Sequence, residues 1–407
     1  MTPPPYLLLL REGELNLDAG PPSVAAALAL LATGATEGEL AEAAPSEPLL
    51  YYYLERLRQQ NRLDYLLPIG NGSVRVQPLH AGFRLSARQP DPDVSYVLSR
   101  FAYLRRSTLE SPTAAASLWL EGEAAALVAA FGSPRTLAGA SPDLMAVASL
   151  LLATKFLKPD GAAEPRPLLT WEFHDLVFHH GKQPRGRTER FRGHLAQPPE
   201  RKPPMSDDAV VLEPPDAAKL RDTDPPLARV SDDRRSLRTP GARPIALSQL
   251  GEFLWRVARV PRPLPAAGGL HELEFYALVD RCDSLASGLY HYYGSTHILY
   301  RLADSPAAEA LIEAARTACA PERHRPHVVV VVAARFARMA WSYEGIAYRN
   351  VLLDTGIALH AMYLAATAMN LAPCALGWND PDLFATAAAL DPLEESSVAL
   401  FALSSRP

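Results

Sequence analysis

Three arginines and one serine lie close together in the segment RRSLR: Arg234, Arg235, Ser236 and Arg238. Guanidinium groups present several N–H donors in a planar fork, and a serine hydroxyl adds another, so these four side chains could together bind a phosphate group. A solvated basic loop is the alternative interpretation. The sequence has no G-x-G-x-x-G fingerprint after a strand and no G-x-x-x-x-G-K-[ST] loop. A phosphate would therefore have to be bound by side chains.

A second polar group, Ser342 and Tyr343, precedes the most apolar stretch of the chain. Residues 348–371 contain no proline and are apolar on nearly every side, which is typical of a helix in the middle of a large core. Roughly 24 helical residues would span about 36 Å. Membrane insertion is the competing interpretation, but polar side chains interrupt the run: Arg349, Asn350, Asp354 and His360. The start of this helix is therefore a candidate position for chemistry.

The histidines and cysteines do not indicate a metal site or a hydrolase. The most closely spaced histidines are His174, His179 and His180. Their spacing matches no standard zinc site, and the stretch TWEFHDLVFHH alternates as a strand would, so a structural role is predicted. The cysteines are Cys282, Cys319 and Cys374. Without a CxxC pair they favour a reducing cytoplasm, with no disulfide framework and no metal. A G-x-S-x-G nucleophile motif is also absent.

The bulk properties are those of a soluble globular protein with two or three domains. The chain has 407 residues, 48% of them hydrophobic and 21% charged. Its net charge of -5 argues against a protein that lives on nucleic acid. The first residues, MTPPPYLLLLREGELNLD, lack the pattern of a signal peptide and predict a β-hairpin instead.

The N-terminal half predicts two tandem winged-helix-like modules. In residues 1–90, helical patches are followed by two alternating runs around Gly70-Asn71-Gly72, a strong hairpin signal. Residues 91–196 repeat the scheme loosely, with predicted helices at 114–118, 121–131 and 142–154 and a final strand. DNA binding by such modules is disfavoured by the acidic balance and by the lack of a basic recognition helix. Residues 197–226 are rich in proline and charge and predict a linker.

Residues 227–407 predict an α+β domain with long helices on an antiparallel-rich sheet. Residues 247–257 form an amphipathic helical pattern, and residues 327–334 (HVVVVVAA) form a β-branched run typical of a buried strand. Further strands are predicted at 274–281, 288–293, 297–302 and 397–403. Further helices are predicted at 306–319 and 381–390, besides the long central helix.

Six ordered motifs across residues 170–407 resemble the SagB-type dehydrogenases, which are FMN-dependent azoline oxidases of the nitroreductase superfamily. The motifs are TWEFHDLVFHH, DDRRSLR, LPAAGGLHELEFYALV, GLYHYY, WSYEGIAYRNVLLDTGIALHAMYLAA and APCALGWNDPDL. The resemblance implies a nitroreductase-like domain with FMN at a homodimer interface. The N-terminal part is similar only in plan to the winged-helix, peptide-recognition modules that these enzymes often carry.

The resemblance also implies which residues bind the cofactor. The phosphate would lie on the RRSLR segment, which agrees with the interpretation from residue types. The flavin would lie along Pro265, Ala266, Gly268 and Leu270, and near Leu376 and Gly377. Arg406 would close over the phosphate from the C-terminal segment.

Two departures from the family pattern concern chemistry. The family has Lys-Tyr, the pair credited with proton removal, where this chain has Ser342-Tyr343, and serine cannot act as the same base. The family has PSAGAL where this chain has PAAGGL, so Ala266 lacks the usual hydroxyl.

The predicted function is therefore an FMN-dependent dehydrogenase that desaturates a heterocycle or residue of a peptide natural product, such as thiazoline or oxazoline, with O₂ as electron acceptor. The peptide could be ribosomal or carrier-bound, and a cyclodehydratase is a possible partner. The alternatives are an NAD(P)H-dependent flavin reductase of the nitroreductase type and a non-catalytic peptide-binding partner protein. We expect a cytoplasmic homodimer without a metal.

Overall fold

The computed structural model describes residues 6–407 apart from residues 12–20, 46, 87, 181–196, 198, 262, 320–323 and 344 and the side chain of His180. The chain divides into two compact units, residues 1–181 and residues 182–407. Each unit has a sheet and a hydrophobic core of its own.

The N-terminal unit packs helices against an antiparallel sheet. Its described strands pair in the order β1-β2-β3-β7-β6-β5, and β4 pairs with β8. The strands are β1 (Leu7–Leu10), β2 (Leu63–Ile69), β3 (Gly72–Pro78), β4 (Tyr96–Leu98), β5 (Tyr103–Arg105), β6 (Thr108–Glu110), β7 (Ala116–Glu121) and β8 (Leu157–Pro159). The helices are α1 (Pro22–Ala29), α2 (Glu37–Ala43), α3 (Pro48–Gln59), α4 (Ala124–Ala129), α5 (Pro142–Ala153) and α6 (Phe173–His180), with 3₁₀ turns at Leu30–Ala32 and Arg166–Leu168.

The residues of the two predicted modules share one sheet and one core. β3 pairs with β7 across the predicted boundary at residue 90, and one cluster of buried side chains extends from Leu8 to Leu157. The predicted β2-β3 hairpin is confirmed, with Ile69 opposite Gly72 at its turn. The first predicted hairpin supplies β1, which pairs with β2, while its second strand lies outside the described residues.

Two elements of the N-terminal unit differ from the prediction. Residues 114–118, predicted as helix, enter strand β7, because Leu118 and Leu120 are buried on either side of exposed Trp119 with the period of a strand. The histidine-containing stretch, predicted as a strand, forms α6. Its apolar residues Phe173 and Leu176 recur at helical spacing, and Leu176 is the buried one.

The C-terminal unit is an α+β domain, as predicted, with helices on both faces of an antiparallel sheet. The main sheet has the order β16-β17-β15-β11-β13-β14-β9, and β10 pairs with β12. The strands are β9 (Ala209–Val211), β10 (Ile245–Ala246), β11 (Leu273–Val279), β12 (Cys282–Asp283), β13 (Gly288–Tyr293), β14 (Ile298–Arg301), β15 (Val328–Arg335), β16 (Leu371–Leu376) and β17 (Glu395–Ser405). The helices are α7 (Ala217–Thr223), α8 (Leu227–Asp233), α9 (Leu247–Ala258), α10 (Pro306–Ala318), α11 (Phe336–Ala340), α12 (Ala347–Ala368) and α13 (Pro381–Ala388), with a 3₁₀ turn at Ala267–Gly269.

The predicted linker, residues 197–226, is packed onto the C-terminal unit. β9 adds an edge strand beside β14. The Lys202 ammonium lies 2.6 Å from both the Glu395 carboxylate and the Tyr276 hydroxyl. A buried charge is tolerated where it is paired and hydrogen-bonded in this way. The segment is therefore part of the domain, in spite of its linker-like composition.

The long helix α12 is buried on one face only. Its buried face includes Val351, Ala358 and Met362, whereas Leu353 is 56% and Ile357 38% exposed. The prediction of burial on all sides is therefore wrong for a single chain, because one sheet covers only one side of a helix. Of the helices in the described part of the chain, α12 alone has the length and apolar composition of a membrane span. Its buried face packs on the sheet, as a core helix does.

Candidate active site

The RRSLR segment follows α8 as an extended loop and is bound by residues of α12 and β16. The Ser236 hydroxyl lies 2.8 Å from the Tyr363 hydroxyl on α12. The Ala375 N–H of β16 donates to the same tyrosine oxygen at 2.8 Å. The Leu237 N–H donates to the Pro373 carbonyl at 2.8 Å, which fixes the loop along β16. One tyrosine hydroxyl thus couples the loop to both elements.

The arginines of this segment are available for an anion. The Arg234 guanidinium lies 5.4 Å from the centre of the Tyr363 ring, a cation–π distance. Among the described residues, no carboxylate lies within ion-pair distance of Arg234, Arg235 or Arg238. Three clustered guanidinium groups without a carboxylate partner suit a phosphate. The residues present therefore fit the phosphate group of a flavin nucleotide.

Two thiols beside this cluster are kept neutral. Burial raises the pKa of the Cys319 thiol to about 11. Burial also raises the pKa of the Cys374 thiol, although Arg238 and a hydrogen bond with Ser236 act in the opposite direction. Neutral thiols do not compete as anions for the arginines.

The other predicted cofactor residues of this region lie at opposite ends of β16: Arg406, predicted on the phosphate, is near its first residue, whereas Leu376 and Gly377, predicted near the ring, are at its last. Arg406 donates to the Asn370 side-chain oxygen at 2.6 Å. The Gly241 N–H, a few residues after the cluster, donates to the Ser405 carbonyl at 2.9 Å. Leu376 ends β16 opposite Leu400, and Gly377 follows it with open space around its missing side chain.

A second group of residues surrounds the loop from Pro265 to Leu270. In this loop Gly268 has a φ of 60°, and a Cβ added to it would lie 2.9 Å from the Tyr343 hydroxyl. A side chain at this position would therefore displace the tyrosine. Pro265 is exposed and Ala266 is half-buried. The phenol of Tyr343 and the predicted flavin loop thus lie in direct contact.

Ser342 and Tyr343 are fixed by the turn that ends α11. The N–H groups of both residues donate to the Met339 carbonyl at 3.1 Å. Both side chains are half-buried, and the Tyr343 ring packs against the core of the unit. This turn places the two residues just before α12, as the sequence predicts.

Three residues that were not predicted as site residues from the sequence bind the RRSLR segment and the loop from Pro265 to Leu270. Tyr363 holds the RRSLR segment, Asp354 accepts the Ala267 N–H at 2.8 Å, and Arg338 donates twice to the Leu270 carbonyl at 2.8 and 3.1 Å. The signal for Asp354 was a single carboxylate within an apolar helix. Tyr363 and Arg338 gave no signal, because their partners are main-chain atoms and a distant serine.

Within one chain, the RRSLR segment and the loop from Pro265 to Leu270 lie on different sides of α12. Asp354 marks the loop side and Tyr363 the phosphate side. Nine helical residues correspond to about 13 Å along the axis and two and a half turns around it, so the two side chains leave the helix in opposite directions. A small cavity of about 120 Å³ borders the loop at Gly269 and His271. It has room for about four waters, and is too small for a cofactor.

Comparisons with known proteins match two segments of the chain to two protein-family models. Residues 232–403 match the family model described as nitroreductase family. They form a nitroreductase-family domain. Residues 96–190 match the model described as cyanobactin oxidase ThcOx. The predicted resemblance to SagB-type dehydrogenases of the nitroreductase superfamily is thereby confirmed, and residues 232–403 form a flavin-oxidoreductase domain of this superfamily.

Three individual relatives each match less than half of the chain. A protein of Methanocaldococcus jannaschii named as a candidate nitroreductase is 26% identical over 179 residues, which are 42% of this chain and 85% of that protein. The Escherichia coli microcin synthetase McbBCD complex, solved with truncated pro-MccB17, gives a TM-score of 0.37 at 19% identity and covers 44% of this chain and 72% of that one. A candidate nitroreductase of Desulfovibrio desulfuricans, solved with FMN, gives 0.30 at 21% identity, covering 45% and 87%. At these TM-scores the overlaps are partial.

The described residues contain no group of three or more His, Cys, Asp and Glu side chains that could hold a metal ion. His174 lies exposed beside Asp175, and His179 is close to the Trp171 ring. Both histidines lie on α6 in the N-terminal unit.

Proposed function

We propose that this protein is an FMN-dependent dehydrogenase that desaturates a heterocycle or residue in a peptide natural product. In the simplest case it converts a thiazoline or oxazoline into a thiazole or oxazole, with O₂ as the final electron acceptor. The observation that carries the proposal is the pairing of two matches on one chain. A cyanobactin oxidase description covers residues 96–190, and a nitroreductase description covers residues 232–403.

FMN would be held by side chains at its phosphate and by a loop along its ring. Arg234, Arg235, Ser236, Arg238 and Arg406 would bind the phosphate. Pro265–Leu270 and residues 376–377 would line the ring. When bound, FMN supplies the acceptor for the hydride that leaves the heterocycle and passes the electrons to O₂.

Desaturation also removes a proton, and Tyr343 is the residue proposed to handle it. The phenol is fixed against Gly268 by its turn, next to the loop that would line the ring. Ser342 replaces the lysine of the family pattern, so its hydroxyl would position a water or the substrate instead of acting as a base. The proton leaves the ring carbon as the hydride leaves its neighbour, so the ring loses two hydrogens in total.

A homodimer would unite the two groups of site residues. One copy of the chain separates the RRSLR segment and the Pro265–Leu270 loop across α12. The same helix exposes an apolar strip that includes Leu352, Leu353 and Ile357. Next to this strip, Gly356 has open space where a Cβ would be, which allows close approach of another backbone.

Two-fold symmetry gives this strip a specific partner. If two copies of α12 pack antiparallel about a two-fold axis near the middle of the helix, residue 354 of one copy lies opposite residue 363 of the other. The loop of one subunit then approaches the phosphate cluster of its partner. A second copy would thus complete the site and cover the apolar strip.

Subunit complementation tests the composite site. Two variants, Arg234→Ala and Tyr343→Phe, are unfolded together and refolded as a mixture, and activity is measured at an FMN concentration that loads the wild type but not Arg234→Ala. Random pairing makes half of the dimers mixed, and each mixed dimer has one site without a substitution, so about a quarter of wild-type activity returns. If each subunit instead holds a complete site, the mixture stays as inactive as its parents.

The N-terminal unit is proposed to bind the substrate peptide. Its sheet ends on one side in the edge strand β5, to which an extended peptide can add main-chain hydrogen bonds; the opposite end strand, β1, already bonds Ala35 through the main chain of Leu8. The match to a cyanobactin oxidase falls largely within this unit. We also propose that this unit is of the winged-helix type. The protein would act in the cytoplasm, with a cyclodehydratase as its partner.

Anaerobic reduction of the bound flavin tests the function. The purified chain is mixed, without oxygen, with a peptide that contains an azoline, and the flavin absorbance is followed. The proposal predicts rapid bleaching by the azoline peptide and none by the same peptide with an azole. Admission of O₂ should restore the colour.

An NAD(P)H-dependent reductase is the second candidate, and Ser342 is the observation that favours it, since the usual proton-removing lysine is missing. The same anaerobic reduction experiment, with NADH or NADPH in place of the peptide, separates the two. Bleaching by NADH or NADPH and none by the azoline peptide would identify the reductase.

A further inference from the structure

The loop from Pro265 to Leu270 is anchored at two points by charged side chains of neighbouring helices. Asp354 of α12 accepts the Ala267 N–H at 2.8 Å. Arg338 of α11 donates from Nε and Nη2 to the Leu270 carbonyl at 3.1 and 2.8 Å. The two anchored main-chain groups lie three residues apart, one on each side of the glycine pair.

The backbone between and after these anchors needs external support. Gly268 and Gly269 have φ values of 60° and 66°, and His271 has 52°. The left-handed region is unfavourable for a residue with a side chain, so His271 keeps this conformation only where the surroundings fix it. Without anchors, a loop with two adjacent glycines would sample many conformations.

A carboxylate at position 354 destabilises the helix packing unless it has a further role. Asp354 is 6% exposed, and apart from the neighbouring Thr355 the other buried residues of this helix are apolar. Burying a carboxylate is unfavourable unless donors compensate it. In the described part of the chain, the hydrogen bond that the structure gives this carboxylate is the one from Ala267. Its position is therefore explained by the loop.

Arg338 is used in the same way. Besides Leu270, its guanidinium donates to the Pro199 carbonyl at 2.8 Å and to the Glu200 carbonyl at 3.3 Å. Burial lowers the pKa of this guanidinium, and the neighbouring Arg335 lowers it further. A half-buried cation that donates to main-chain carbonyls fixes backbone, and here it fixes the end of the loop.

We propose that Asp354 and Arg338 are positioning residues that clamp the loop from Pro265 to Leu270 in the conformation that accepts the flavin ring. The clamp also sets the gap between Gly268 and the Tyr343 hydroxyl, which a single Cβ would close. The identity of the ligand rests on the proposed function, whereas the clamp itself is a property of the protein alone.

Hydrogen exchange of the Ala267 amide, measured by mass spectrometry on the full chain without FMN, tests the clamp directly. Asp354→Ala should speed exchange at this amide by about 10- to 100-fold, the range for loss of a hydrogen bond to a charged group. Asp354→Asn keeps an oxygen acceptor and should restore most of the protection. The matched control is Thr355→Ala, since Thr355 is equally buried and bonds the Val351 carbonyl of its own helix.

A second variant removes the same hydrogen bond from the other side. Ala266 is extended, with φ -139° and ψ 145°, which a following proline accepts, so Ala267→Pro deletes the donor without changing Asp354. The FMN dissociation constant, read from quenching of flavin fluorescence, should rise about 10-fold or more in Asp354→Ala and in Ala267→Pro. The double variant should be no weaker than the weaker single variant.

The results separate the clamp from the function. Wild-type exchange at Ala267 in Asp354→Ala would overturn the clamp, and so would additive losses of FMN affinity in the double variant. If Asp354→Asn keeps the protection but loses FMN as Asp354→Ala does, the charge acts on the ligand directly and the positioning role is wrong. If exchange changes as expected and the wild type binds no FMN, the clamp stands and the proposed function fails.

Discussion

The hydroxyl of Tyr363 should contribute both to the stability of the C-terminal unit and to the binding of FMN. Tyr363→Phe removes one oxygen atom that lies 2.8 Å from the Ser236 hydroxyl and accepts the Ala375 N–H at 2.8 Å. The ring itself keeps its contacts, because the edge-to-face packing on Phe401 and the stacking under Arg234 do not involve the oxygen. The substitution therefore isolates the two hydrogen bonds.

The expected magnitude follows from those two bonds. A net hydrogen bond contributes about 1 kcal/mol, and an orphaned buried donor costs about 1–3 kcal/mol. Because Ser236 and Ala375 are only half-buried, water compensates part of the loss. We expect a loss of about 2 kcal/mol in the free energy of unfolding. In a unit of this size that lowers Tm by about 4–8 °C.

Thermal unfolding followed by circular dichroism measures this loss, without FMN and then with FMN in excess. Tyr300→Phe is the matched control, because Tyr300 is also half-buried and has no hydrogen bond to its hydroxyl within the described residues. The stabilisation by FMN should also shrink in Tyr363→Phe, since Ser236 loses its fixed orientation. If the two variants melt alike and bind FMN alike, the hydroxyl does not hold the RRSLR segment.

Three further predictions concern the phosphate cluster, the proton and acid stability. Arg234→Ala should weaken FMN binding about 10- to 100-fold, while Arg229→Ala, an exposed arginine one helix turn before the cluster, should leave it unchanged; equal affinities would place the phosphate elsewhere. Tyr343→Phe should keep the flavin spectrum and lose about 10²–10⁴-fold in turnover, and wild-type turnover would show that the proton leaves by another route. A hydrogen bond from Arg256 lowers the pKa of Asp224 in the folded protein. The ionised carboxylate therefore stabilises the fold at pH values above its unfolded pKa near 3.9, and this stabilisation is lost as the pH falls through the lower folded pKa. Asp224→Asn should therefore melt below wild type at about pH 6 and converge with it towards about pH 2, and a constant difference would contradict this.

Local sequence patterns predicted the elements that the sheet and the helices of the same unit bury. The run HVVVVVAA supplies most of β15, an inner strand of the main sheet, where both faces are covered. The pattern SLWLE in β7 carried the period of a strand, and the helix predicted at 114–118 overlooked it. The proline-rich segment before residue 226 was predicted as a linker, because a three-residue edge strand, a short helix without a buried residue and one half-buried lysine leave almost no periodic signal.

The candidate site was predictable only where residue types carry the chemistry. The RRSLR cluster stood out because three guanidinium groups share one short segment. Asp354, Tyr363 and Arg338 did not stand out, because their partners are main-chain atoms or a residue more than a hundred positions away, which only the tertiary fold brings close. The exposed face of α12 could not be predicted either. Composition alone does not show whether an apolar helix is covered by its own chain or by a second copy of the chain.

Mass spectrometry of the reaction product tests the central claim most directly. The flavin-loaded full chain is incubated in air with a peptide that carries a single azoline and, in parallel, with the same peptide carrying an azole. The account predicts that the azoline peptide loses the mass of two hydrogens, that the azole peptide is unchanged, and that Tyr343→Phe suppresses the loss. An azoline peptide that keeps its mass in the presence of bound, reoxidisable flavin would contradict the account.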